Sequence, residues 1–288
     1  MTITPEIRIL VIGSESKLAR AFVTHCISHL NCAIHQTSRH NHRYHFLDLE
    51  EVENMSEFIL QQEYDFCLVF AAMTNIAACH TDPVRAQLIN CHAVQFLMGR
   101  LRVRHWVLFS TNQVFSGDEP YVNKDAIFSP FSEYGKSKVL MELVAKEHSH
   151  SVAIVRLTKV IDGQYPLFRK FITSLLNGEK VAVYKDMVFA PVYIERVCQF
   201  LVALVANFKP GVYQLSASND ISYYSALRFI GKLLQLPEEN VIAQLALQQC
   251  PKNTTLKVDK QENRLGFTSE SAEQALKEAF VLNWHLTH

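Results

Sequence analysis

The chain has 288 residues, 49% of them hydrophobic, and its 28 basic and 28 acidic side chains cancel to a formal charge of zero. That supplies enough apolar material for one sizeable core, or a core with a smaller lobe. The charge balance excludes the basic footprint of a nucleic-acid binder, and no apolar run approaches the ~20 residues of a membrane helix.

The amino terminus passes straight into Ile7-Arg-Ile-Leu-Val-Ile12, a buried first strand, with no basic n-region or signal-type apolar segment ahead of it. Gly13 follows at once, and a helix is expected from about Lys17 to Leu30. A strand, a tight turn and a helix N-terminus together form an anion site, so Gly13, Ser16, Lys17 and Leu18 are candidate contacts to a pyrophosphate. Cys32–Thr37 reads as a second strand ending in Ser38-Arg39. A site for NAD places an acid at that strand end to hold the ribose 2′-hydroxyl. A hydroxyl and a guanidinium suit a 2′-phosphate instead, so NADP(H) is expected, with NAD(H) possible. His40, His42 and His45 read as a polar loop near the cofactor rather than a metal site, since no second ligand cluster accompanies them.

Tyr64–Phe70 is a further strand, and the small Ala71-Ala72 at its end allows close backbone approach to a cofactor. Residues 105–109 have the length of a buried strand and lead into Ser110-Thr111. A helix is then expected from about Phe131 to Glu147, with Ser129 as N-cap and Pro130 in the first turn. Tyr134 and Lys138 stand four apart and so share one face of it. A free phenol titrates near ~10, and a lysine on the same face is expected to lower that value for acid–base work. Ser151–Arg156, Val181–Tyr184 and Pro210–Ser216 read as strands; Leu167–Leu176, stopped by Asn177-Gly178, and Tyr193–Asn207 read as helices. The seven cysteines are scattered, without a CxxC, and suit small buried groups in a reducing cytoplasm. The expected location is cytoplasmic, with no membrane and no nucleic-acid partner.

Several of these stretches resemble the extended short-chain dehydrogenase/reductases. Phe109-Ser-Thr-Asn-Gln-Val-Phe-Ser-Gly117 resembles the STDxVFxG signature of dTDP-4-dehydrorhamnose reductases, and Tyr134-Gly-Lys-Ser-Lys138 with Glu142 resembles their YGxxKxxxE. Met73–Pro83 is similar to AAxTxVDxAExDP when read from Ala71, which brings in Thr74; Asn90 matches the helix asparagine, and Asp48-Leu49 the pair where the Asp meets the adenine. Pro210–Ser216 resembles GxYHLS, and Cys250–Leu256 with Leu265-Gly266 resembles RPxNxxLD…LG. The resemblance implies an α/β fold: a Rossmann-type doubly wound parallel sheet, with a dinucleotide-binding core over 1–160 and a smaller α/β substrate lobe over 161–288. It further implies a nucleotide-sugar substrate, and it leaves a homodimer possible.

The family's G-x-x-G-x-x-G survives here only at Gly13, with Ser16 and Ala19 in the other two places. By the resemblance, Thr111 orients a carbonyl, Tyr134 gives its oxygen a proton, and Lys138 tunes Tyr134 and bonds the nicotinamide ribose. Ser110 and Asn90 join the cofactor set. The expected reaction is reduction of a keto group on a nucleotide-activated deoxysugar. Dehydratase relatives need an Asp-Glu pair after the threonine, whereas Asn112-Gln113 cannot titrate. The alternative is a non-catalytic binding protein, similar to the regulatory subunit of methionine adenosyltransferase; Ser16, Phe70, Asn112 and Cys250 depart from the reductase pattern in its favour.

Overall fold

The computed structural model describes residues 6–148, 150–246 and 250–281. Strand β1 (Ile7–Ile12) is apolar without alternation because both its faces are covered: Ile9 to Ile12 are 0–1% exposed. The helix α1 (Lys17–His29) buries Ala19, Phe22 and Cys26, a single stripe at helical spacing. Next come β2 (Cys32–Ser38), β3 (His45–Phe46), β4 (Glu63–Val69), β5 (Arg102–Thr111), β6 (Val152–Leu157), β7 (Lys159–Ile161), β8 (Val181–Tyr184), β9 (Val188–Phe189), β10 (Pro191–Tyr193) and β11 (Gly211–Leu215).

Seven of these form one sheet in the order β11-β6-β5-β4-β1-β2-β3. The pairs β1–β2, β1–β4, β2–β3 and β4–β5 are all parallel. Strand order therefore runs one way from β1 and the other way from β4. That reversal is the topological switch of a Rossmann-type fold, and the crevice beyond its carboxyl ends is where ligands sit. β5 starts at Arg102, earlier than its apolar run, because pairing with β4 continues from Leu108↔Val69 back to Arg102↔Glu63.

The chain divides into two compact units. One runs through Phe115 and adds Ile127–Arg156 and Cys198–Tyr213; the other comprises Ser116–Ala126, Leu157–Val197 and the chain from Gln214 onward. The first holds most of the sheet, with Leu10, Ile12, Leu68, Leu97 and Leu108 fully enclosed. Within the second, β7 pairs in parallel with β10. The helix Pro166–Leu176 buries Phe168, Ile172 and Leu175 on one stripe, begins on a proline, and is followed by Gly178 at φ +75°. Among the described residues no helix is long and apolar enough to cross a membrane.

The helix carrying Tyr134 and Lys138 spans Glu133–His148, so the expected start at Phe131 with a Ser129 cap and Pro130 in the first turn is corrected. Ser129 is held in the preceding loop, where its N–H donates to the Val114 carbonyl at 3.0 Å. Ser132 takes the capping position: its hydroxyl accepts the Gly135 N–H at 3.0 Å and donates to Gln113 Oε1 at 2.8 Å.

Candidate active site

A cleft of about 320 Å³ opens at the carboxyl ends of β1, β2 and β4. Gly13, Ser16, Ser38, Arg39, Asp48, Leu49, Ala71 and Ala72 all line it. Gly13 adopts φ +82°, and a Cβ there would meet the Ala71 Cβ at 2.5 Å and its backbone nitrogen at 2.6 Å. The β1 turn thus passes over the end of β4 with no room for a side chain, the close approach that a dinucleotide loop requires. Ser16 occupies the N-cap of α1 and accepts the Ala19 N–H at 3.1 Å. The turn closes without a second glycine, since Ser16 has ordinary φ −65° and ψ 146°. Lys17 and Leu18 open α1 behind that cap and, like Thr74, do not line the cleft.

The strand-end reading of β2 needs correction. Ser38 donates its hydroxyl to Glu15 Oε2 at 2.5 Å, so an acid does stand at the end of β2, supplied by the turn after β1. Arg39 reaches Glu50 at 3.4 Å, and Arg85 holds the same carboxylate at 2.6 and 2.9 Å. Glu15, Glu50 and Arg85 all line the cleft and were missed in sequence. Reasoning along one strand end cannot show that a neighbouring turn delivers a carboxylate to it. His45 of the histidine loop stacks on Phe58 with ring centres 4.4 Å apart.

Thr111 ends β5 and caps the turn Asn112–Val114, accepting the Gln113 N–H at 3.2 Å. Its side chain acts on the Tyr134 hydroxyl, favouring the phenolate. A Cβ on Gly135 would collide with the Gln113 carbonyl oxygen. The glycine after the tyrosine therefore lets the helix seat against this turn and brings Thr111 and Tyr134 together. Gly135→Ala is expected to force the two apart and to cost about 1–3 kcal/mol by overpacking, read as a lowered urea midpoint; an unchanged midpoint would contradict this contact.

Lys138 lies one turn beyond Tyr134 and is buried, with Nζ 3.8 Å from Met141 Sδ. Burial holds its pKa down at about 8, against smaller upward pulls from Glu142, Cys79 and Cys91. The Tyr134 ring keeps partial exposure, but desolvation around its hydroxyl raises the phenol above its ordinary value; Cys79 adds to the rise and Thr111 opposes it. The expectation that Lys138 lowers the Tyr134 pKa is thus overturned, because desolvation dominates at the hydroxyl.

Ser110 points away from this pair and donates to Glu142 Oε1 at 2.6 Å. Glu142 is also gripped by Arg156 through Nε at 2.9 Å and Nη2 at 2.7 Å. Asn90 is buried in a π-helical turn, Leu88–His92; it accepts the Met73 N–H at 2.8 Å and donates to Ser137 Oγ at 3.0 Å. Both residues tie the strand ends to the helix Glu133–His148 rather than facing the cleft.

A family model described as "RmlD substrate binding domain" matches residues 7–283. A curated relative, dTDP-4-dehydrorhamnose reductase of Escherichia coli (strain K12), is 30% identical over 187 residues; the match spans 62% of this chain and 62% of that relative's length. Methionine adenosyltransferase 2 subunit beta of Danio rerio is 24% identical over 290 residues, covering 93% of this chain and 88% of its own. Among solved structures, dTDP-4-dehydrorhamnose reductase from Bacillus anthracis str. Ames in complex with NADP superposes with TM-score 0.85 at 18% identity, over 98% of this chain and 100% of that one.

Proposed function

The chain belongs to the RmlD substrate-binding-domain family, and from that membership we propose that it is an NADP(H)-dependent reductase of a keto group on a nucleotide-activated deoxysugar. One observation carries the reading: a threonine at the end of β5 whose side chain acts on the Tyr134 hydroxyl, with a buried lysine one turn on. When bound, a dihydronicotinamide supplies hydride to the carbonyl carbon. Gly13, Ala71 and Ala72 would let the backbone approach the dinucleotide, and the α1 N-terminus would hold its pyrophosphate. Tyr134 gives a proton to the carbonyl oxygen, and Thr111 bonds and orients that oxygen. Lys138 offers a positive charge to the phenolate left behind. The second unit is the substrate-binding lobe in this reading. The test is oxidation of NADPH, followed by absorbance, with a panel of nucleotide-linked 4-keto-6-deoxysugars; no turnover with any of them would reject it.

The preference for NADP(H) rests on Arg39, and the NADP-bound relative supports it. Glu15 works against it, since its carboxylate faces the site of a 2′-phosphate through Ser38. Arg39→Ala is expected to weaken NADPH by about tenfold while leaving NADH nearly unchanged, because the charge-assisted contact exists only with the phosphate. Glu15→Gln moves selectivity the opposite way, towards NADPH. Calorimetry with both cofactors measures the two ratios, and equal losses on Arg39→Ala would remove the assignment.

A second reading, a non-catalytic nucleotide-binding regulatory protein, is favoured by the likeness to the Danio rerio subunit over 93% of this chain. Its signature is cofactor or nucleotide binding with no hydride transfer.

A further inference from the structure

Two thiols in the first unit meet across the turn from α1 to β2. Cys26 ends the buried stripe of α1, and Cys32 is the first residue of β2. Their sulfurs lie 3.6 Å apart, in van der Waals contact, and both groups are free thiols. The backbone fixes this contact from both sides. The Leu30 N–H donates to the Cys26 carbonyl at 2.9 Å, and the Asn31 carbonyl accepts the Ile7 N–H at 3.0 Å. Cys32 itself stands opposite Ile7 in the parallel pairing of β1 with β2.

The two thiols differ in access. Cys26 is 0% exposed, whereas Cys32 is partly exposed, so a reagent in solution meets Cys32 first. Burial pushes the Cys26 thiol up, and the neighbouring Cys32 sulfur adds to the rise. Capping Cys32 removes that second contribution, which makes Cys26 easier to ionise once its partner has reacted. Only residues 27–31 separate the two cysteines. A bond closing so short a loop gains little from chain entropy and stays open to reduction. In a reducing compartment such a pair rests as thiols and oxidises transiently.

We propose that Cys26 and Cys32 form a reversible thiol modification site, closed by exchange with a low-molecular-weight disulfide of the glutathione type. The Cys32 thiolate attacks one sulfur of that disulfide, and its S–S bond breaks. The released thiolate takes up the proton that Cys32 gave off, leaving a mixed disulfide on Cys32. Cys26 then loses its proton and attacks Cys32 Sγ, expelling the second thiolate, which takes that proton. The chain gives up two electrons and two protons, and the small disulfide becomes two thiols.

The test is incubation of the full-length chain with glutathione disulfide, then alkylation under denaturing conditions and peptide mass spectrometry. The tryptic peptide between Arg20 and Arg39 holds both cysteines. It is expected to appear lighter by two hydrogens, with two of the seven thiols lost to alkylation and both restored by dithiothreitol. Cys26→Ser should stop at a lasting glutathione adduct on Cys32, and Cys32→Ser should leave Cys26 unmodified. Cys250→Ser removes the other partly exposed thiol and should leave the reaction unchanged. Circular dichroism and Tm verify the fold of all three variants. A wild-type chain in which both thiols stay alkylatable while Cys250 is converted overturns the site. A wild-type adduct on Cys32 that Cys26 never displaces overturns it equally.

Discussion

Tyr134→Phe is expected to keep the fold and lose at least ~10²-fold in turnover, with the loss in the chemical step. The substitution removes one hydroxyl and leaves a ring of the same shape. A reductase needs its acid protonated, and desolvation holds the Tyr134 phenol above its ordinary pKa, so the proton is in place at neutral pH. Donating it creates a phenolate where burial disfavours charge, and the buried Lys138 ammonium one turn away offsets that cost. Lys138→Met should therefore do similar damage, and Thr111→Val, which removes one hydrogen bond, should do less. Lys138 also predicts the pH dependence. Its pKa is held at about 8 against an ordinary 10.5, so turnover should fall as pH rises through about 8. Between those two values the unfolded chain binds more protons than the folded one, so the contribution of this lysine to stability rises with pH across that window. Near wild-type turnover in Tyr134→Phe would move the proton donor elsewhere.

The parts of this arrangement that were legible in sequence are those encoded locally. β1 is a continuous apolar run because both its faces are covered, and its end is marked by a glycine that meets Ala71. Tyr134 and Lys138 are four apart on a helix, and that spacing survives an error in where the helix begins. The start itself was not legible: Ser129, Pro130 and Ser132 all carry N-terminal signals, and contacts with Gln113 and Val114 decide among them. Glu15 was missed for the same kind of reason, since its bond to Ser38 joins the turn after β1 to the end of β2. The raised phenol reflects desolvation, which depends on what packs around a hydroxyl and has no signature at i and i+4.

Glu142→Ala is expected to be the most destabilising single change in the first unit, by about 3–5 kcal/mol. The carboxylate is 0% exposed and its partner Arg156 is 1% exposed. Arg156 lies over the rings of Phe115 and Phe128 at 5.1 and 5.3 Å, so water cannot replace the lost oxygens. Alanine would strip the buried guanidinium of both Glu142 oxygens, and this loss sets the cost, rather than the worth of the intact pair. Exchanging both partners at once, as Glu142→Leu with Arg156→Met, removes the charge together with its counter-charge and should recover most of the stability. The same carboxylate accepts the Ser110 hydroxyl at 2.6 Å, next to Thr111 and one turn past Lys138. The double variant should therefore fold well yet turn over slowly, because the end of β5 has lost the bond that fixes it to the helix. Urea unfolding gives the three stabilities, with a common m-value required for the comparison. A cost below ~1 kcal/mol for Glu142→Ala would mean that the guanidinium finds solvent or another carboxylate, and this account of how the helix is locked to β5 would be wrong.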